Sequence, residues 1–205
     1  MALPHSSMIK TATKAVLTAG PLALIKALFH SHCIFIKDLT SKNVGGCSSK
    51  EANYVLKVVC ASKQINELPT STFASQFRPF NSQEIRARVN RGSLFFCAYV
   101  NGELAHTSWL VTSTTDRREI APFNIHYPVE VNIESPFTDP KYRRLGLFSH
   151  TLREMCGLAA TAGKTKVFMA TLKSNEAAVA SLSDAGFQIY REGPFWKLLI
   201  RNLLE

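Results

Sequence analysis

No Cys-x-x-Cys pair occurs in the chain, and its five cysteines (Cys33, Cys47, Cys60, Cys97, Cys156) are odd in number and far apart. That pattern argues against a disulfide framework and against a zinc site, and a reducing compartment is expected. His30-Ser31-His32-Cys33 has no partner ligands at a metal-site spacing, so no metal is expected. No apolar run reaches the ~20 residues of a membrane span. No small-residue cleavage site follows a short apolar core, which argues against a secretory signal. The first 37 residues contain no acid and no arginine; Lys10, Lys14, Lys26 and Lys37 are their only formal charges. The missing arginine speaks against an organelle presequence.

The 205 residues are 46% hydrophobic and 19% charged, which fits one globular domain with an appendage. The formal charge of +9 suits a polyanionic ligand, a nucleic acid or an acidic membrane surface. The basic residues are dispersed and no aromatic-basic recognition motif is present, so nucleic-acid binding is not expected.

Met8 to Ala19 and Leu22 to Phe29 each carry an apolar helical face, with Gly20-Pro21 breaking between them. These helices either pack on the domain or lie on an anionic membrane surface through residues 7–30. Cys33 to Leu39 is a short strand candidate, and the Ser/Gly/Lys/Asn-rich stretch from Thr40 to Asn53 reads as a loop. The expected division is therefore 1–50, helices, strand and loop, and 51–205, the main domain.

Tyr54 to Ser62 reads as a strand and Ser82 to Asn90 as a short helix. Leu94 to Val100 and Glu103 to Thr112 flank Asn101-Gly102, a hairpin signature because both turn residues need positive φ. Tyr127 to Phe137 is the next strand, with Val129, Val131 and Ile133 on one face and Glu130, Asn132 and Glu134 on the other. Pro136 cannot donate to a ladder, so pairing should stop or bulge there. Leu147 to Ala162 shows helical spacing in Phe148, Leu152, Met155 and Ala159, and Cys156 falls on the same buried stripe. Lys166 to Leu172 is a strand, Ser174 to Ala185 a helix capped by Ser174 or Asn175, and Phe187 to Arg191 and Phe195 to Arg201 are final strands. Helices interleaved late in a mostly antiparallel sheet make a mixed α/β layer fold.

Between the Tyr127 strand and the Leu147 helix lies Asp139-Pro140-Lys141-Tyr142-Arg143-Arg144-Leu145-Gly146-Leu147-Phe148-Ser149-His150. A basic, glycine-bearing turn opening a helix is an anion site, because the first-turn N–H groups point outward and the helix dipole favours negative charge.

Two stretches carry a family resemblance. Pro140 to Phe148 resembles the diphosphate turn of the GNAT superfamily of acyl-CoA-dependent N-acyltransferases. Ser174-Asn175-Glu176-Ala177-Ala178-Val179, ending in Ala185-Gly186-Phe187, is similar to that family's second signature. The resemblance runs from about Tyr54 to the C-terminus. It implies a GNAT-like, mostly antiparallel central sheet flanked by helices, with an N-terminal helical extension. It implies acetyl-CoA or another acyl-CoA as co-substrate and an amine as acceptor.

Acyl-CoA would be held by the strand residues Pro136, Phe137 and Thr138, by Arg143, Arg144, Leu145, Gly146, Leu147, Phe148 and Ser149 of the turn, and by Asn175. Glu130 matches by spacing the family's strand glutamate and is the first choice as base, with Glu134 second; His126 and His106 are lesser candidates. The chemistry needs a base or water to take the amine proton, a backbone N–H for the oxyanion, and proximity.

The chain departs from the family where Phe148 replaces Gly or Ala, Arg144 replaces Gly, Leu182 replaces a tyrosine that protonates the thiolate, and Ala170 replaces a glutamate. Those departures keep open an alternative: a GNAT-fold protein without turnover, acting as a membrane-peripheral or regulatory module. Tyr190 and Trp196 are candidates for an acceptor pocket or for core. A cytoplasmic location is expected, and neither acceptor identity nor oligomeric state is legible.

Overall fold

The computed structural model describes residues 30–40, 54–69, 72, 81–113 and 125–198. The two expected N-terminal helices lie outside those residues, as does most of the expected loop from Thr40 to Asn53.

Seven strands form one sheet: β1 (Ser31–Asp38), β2 (Tyr54–Val59), β3 (Leu94–Val100), β4 (Glu103–Val111), β5 (Glu130–Thr138), β6 (Lys166–Leu172) and β7 (Gln188–Pro194). Their spatial order is β2-β3-β4-β5-β6-β1-β7. Every pairing is antiparallel except β5 with β6. Three helices accompany the sheet: α1 (Ser82–Asn90), α2 (Leu147–Thr161) and α3 (Glu176–Asp184).

Local chemistry sets several of these boundaries. Asn101 (φ 51°) and Gly102 (φ 79°) turn the β3–β4 hairpin as their sequence demands. Asn81 caps α1 by accepting from the Gln83 N–H at 2.8 Å, and Asn175 caps α3 by accepting from the Ala178 N–H.

The parallel pair is short. Only Glu130↔Lys166, Val131↔Val167 and Asn132↔Phe168 are in register. Beyond Asn132, β5 leaves β6, and its ladder with β4 skips Ser135 and Pro136, resuming at Phe137. Ser135 has φ 50°, and Pro136 offers no N–H, so the bulge falls where the proline requires it.

One core lies on the α2/α3 face, where Phe96, Leu110, Val131 and Ile133 meet Leu152, Met155, Cys156 and Leu182. A second lies on the α1 face, built from Ile85, Val89, Phe95, Cys97 and Trp109. The strand β1 is interior, with Ile34 and Phe35 fully buried. The N-terminal segment of residues 1–50 thus supplies a strand between β6 and β7. The strand expected from Phe195 is replaced by helical backbone over residues 195–198. Leu198 there packs on Ile34 and Phe168, so Trp196 and Leu198 do not alternate in a ladder; the rest of the expected strand, Leu199 to Arg201, lies outside the described residues.

Candidate functional site

The divergence of β5 from β6 opens a cavity of about 860 Å³ on the α2/α3 face. One wall is Ser135, Pro136, Phe137 and Thr138 of β5, and the other is Met169, Ala170 and Thr171 of β6. The turn closes one end with Arg143, Arg144, Gly146, Leu147, Phe148 and Ser149, while α3 adds Asn175, Ala177, Ala178 and Ser181. Of the expected ligand-holding residues only Leu145 is absent from this lining, and it is 44% exposed. A smaller cavity of about 470 Å³ at the β2–β3 edge holds none of the expected site residues.

The turn combines a capped 3-10 turn with an uncapped helix start. A 3-10 turn (Pro140–Tyr142) is capped by Asp139, whose carboxylate accepts from the Lys141 N–H at 2.9 Å. Gly146 (φ 72°) then starts α2 with no side-chain cap, which leaves the first-turn N–H groups without a side-chain acceptor. Any side chain at 146 would be strained by that φ. Arg144 shares the left-handed conformation (φ 67°), which explains why glycine suits that position in the family pattern. Arg143 donates from Nε to the Thr138 carbonyl at 3.4 Å. Lys141 turns away: its Nζ lies 2.8 Å from Glu103, which also accepts from the Tyr142 hydroxyl at 2.6 Å. These two donors hold the Glu103 carboxyl below the usual carboxylate range.

The two expected carboxylates occupy different surroundings, and neither lines the cavity. Glu130 sits where β5 and β6 are still paired; its carboxylate accepts from the His126 N–H at 2.8 Å and meets Lys166 Nζ at 3.5 Å. At ~3.3 Å per residue it is roughly 16 Å from Ser135 along the strand. Glu134 adjoins the bulge but faces α1. It is fully buried, accepts from Arg88 Nη2 at 3.1 Å and from Asn132 Nδ2 at 3.3 Å. The Arg88 guanidinium in turn stacks on Trp109 at 4.1 Å. This face of β5 is therefore covered, not solvated.

His126 is exposed. His106 is 1% exposed and lines the cavity, and burial pushes its pKa down to about 3. The residue at the tyrosine position, Leu182, is fully buried in the core, and the hydroxyl-bearing residue of α3 in the cavity lining is Ser181. The Ser181 signal was legible only as one helical step from Ala177 and Ala178. Burial of Cys156 pushes its thiol up to about 11, in keeping with a core residue. Tyr190 is 47% exposed on β7, and neither it nor Trp196 lines the cavity. Among the described residues no cluster of three or more His, Cys, Asp or Glu side chains could hold a metal, and no helix is long and apolar enough to cross a membrane.

A mixed sheet split at a parallel pair, with a basic uncapped helix start at the mouth of the split, defines a mixed α/β layer fold with a cavity at its centre. The acetyltransferase (GNAT) family model matches residues 62–187, more than half of the chain, and the chain belongs to that family. A GNAT-family acetyltransferase from Colwellia psychrerythraea superimposes with a TM-score of 0.54 at 14% identity, covering 94% of this chain and 73% of that one. One from Streptococcus pneumoniae gives 0.50 at 17% identity, over 66% of this chain and 84% of that one. A GNAT-family protein from Novosphingobium aromaticivorans gives 0.48 at 18% identity, over 80% of this chain. This chain spans 61% of that relative's length, and 56% and 59% of two more. No curated protein sequence matches the chain.

Proposed function

We propose that this chain transfers an acyl group from acyl-CoA to an amine. The observation that carries the reading is the cavity between the diverging ends of β5 and β6, closed by an uncapped helix N-terminus with Arg143 and Arg144 beside it. A diphosphate suits that end, because backbone N–H groups, the helix dipole and two guanidiniums converge there. An extended arm suits the wall from Thr138 to Ser135, where β5 no longer pairs with β6. The ligand supplies the activated acyl group as a thioester: the C–S bond breaks, a C–N bond forms, the amine loses one proton and the thiolate gains one.

What the chain supplies is mainly alignment of the two reactants. For the amine proton a water is the carrier the geometry favours, since Glu130 is tied at the paired end by Lys166 and Glu134, though it adjoins the bulge, is buried against Arg88 and does not line the cavity. For the thiolate, the Ser181 hydroxyl, now donating to the Ala177 carbonyl at 2.8 Å, is the donor that α3 adds to the cavity lining.

Titration calorimetry with coenzyme A, acetyl-CoA and longer acyl-CoAs tests the reading. The wild-type chain should bind, and Gly146→Glu should abolish binding through strain, bulk and like charge. No heat from any of these ligands would reject it.

A further inference from the structure

Among the cavity's lining residues one buried side-chain polar atom has no partner within the described chain. His106 Nε2 is fully buried and unbonded, while its Nδ1 lies 2.7 Å from Thr138 Oγ1. The ring also meets Phe148, with centroids 5.8 Å apart and planes tilted by 39°. Thr138 ends β5 and Phe148 is the second residue of α2. His106 therefore lies under the junction between the strand wall and the helix start.

A buried polar atom left unpaired costs about 1–3 kcal/mol. On a residue that lines a cavity, such an atom is a candidate partner for a ligand atom. Burial keeps the ring neutral, so one nitrogen carries a proton and the other does not. The Thr138 hydroxyl can donate to Nδ1, which leaves the proton on Nε2. That tautomer matches the neighbourhood, since Arg143, Arg144 and the α2 amides also present donors to the same cavity.

We infer that His106 is a ligand-positioning residue whose Nε2–H, set in that tautomer by Thr138, donates a hydrogen bond to an oxygen of the bound ligand where its phosphates meet the pantetheine arm. The inference rests on the acyl-CoA reading. Phe148 packs against the ring, giving a reason for an aromatic residue where the family pattern has Gly or Ala.

The test is imidazole 15N–1H spectroscopy of the full chain titrated with coenzyme A. The free ring should show the Nε2–H tautomer, and its Nε2–H resonance should move downfield on saturation. 4′-Phosphopantetheine should reproduce the shift and 3′,5′-ADP should not; the reverse pattern would overturn the placement. Thr138→Val should raise the coenzyme A Kd severalfold and shift the tautomer, with both restored in Thr138→Ser. His106→Ala should raise Kd about tenfold, the worth of one hydrogen bond. A saturated protein whose ring resonances stay put, or an Nδ1–H tautomer in the bound state, overturns the inference while leaving the acyl-CoA reading intact. A wild-type chain that binds no coenzyme A removes both.

Discussion

Arg88 and Glu134 are 2% and 0% exposed, 3.1 Å apart, and come from α1 and β5. Removing one partner of a buried pair strands the other charge, at about 3–5 kcal/mol. Glu134→Gln should therefore lower the unfolding free energy measured by urea titration by an amount in that range, with a matching fall in the midpoint, and pairing it with Arg88→Met should recover most of the loss. Equal midpoints for wild type and Glu134→Gln would show that the pair does not bear on stability. A second residue-scale effect belongs to His106. Its folded pKa lies near 3, against 6.5 when exposed. Between those values the unfolded chain binds the extra proton, so stability is full above pH 6.5 and falls as pH drops toward 3. At ~1.4 kcal/mol per pH unit, lowering pH from 7.5 to 5 should cost up to about 2 kcal/mol more in wild type than in His106→Gln. Parallel pH–stability curves for the two proteins would contradict this.

At the scale of elements, the chain showed some things plainly and hid others. The span of α1, the Asn101-Gly102 hairpin and the stripe of α2 follow from local periodicity and turn chemistry, which need no partner to be read. The bulge at Pro136 was legible because a missing N–H is a property of one residue. The part of the cavity lining from Pro136 to Thr138, the turn and Asn175 was legible because it clusters in two stretches with helix-start chemistry, whereas Met169 to Thr171 and Ser181 carry no such mark. By contrast, Arg88 and Glu134 are 46 positions apart, and nothing local marks them as partners. Period-2 alternation placed Glu134 correctly opposite Ile133, yet it cannot say whether a helix covers that face. The place of β1 was equally hidden: a short apolar run declares a strand, not its neighbours. That place has a consequence. A chain beginning at Ser48 lacks β1, which pairs with both β6 and β7. Such a chain should be insoluble or lack a cooperative thermal transition. Phe35→Ala in the full chain should cost about 3–5 kcal/mol, the usual loss for a buried aromatic. A folded, ligand-binding chain from Ser48 onward would show that β1 is dispensable.

At the scale of the whole molecule, the sheet has two parts, β2-β3-β4-β5 and β6-β1-β7, joined by a three-pair parallel ladder and by the α2 core. The cavity lies in the gap between them. A ligand lodged there touches β5 on one side and β6 and α3 on the other, so binding should tie the parts together. Binding to the folded state alone stabilises it by RT ln(1 + [L]/Kd), about 2.7 kcal/mol at a hundredfold excess over Kd. Coenzyme A should accordingly raise the melting temperature, and hydrogen exchange should slow at both lips, Ser135 to Thr138 and Met169 to Thr171. The charge of +9 enters here as well, since it draws an anionic ligand from a distance while the two turn arginines act at contact. Screening shortens the first reach to about 8 Å at physiological salt. Replacing Arg143 and Arg144 with Ala should weaken coenzyme A binding and flatten its dependence on salt. If the double variant binds as tightly as wild type with the same salt slope, the attraction comes from the dispersed surface charge and the turn contributes only its amides.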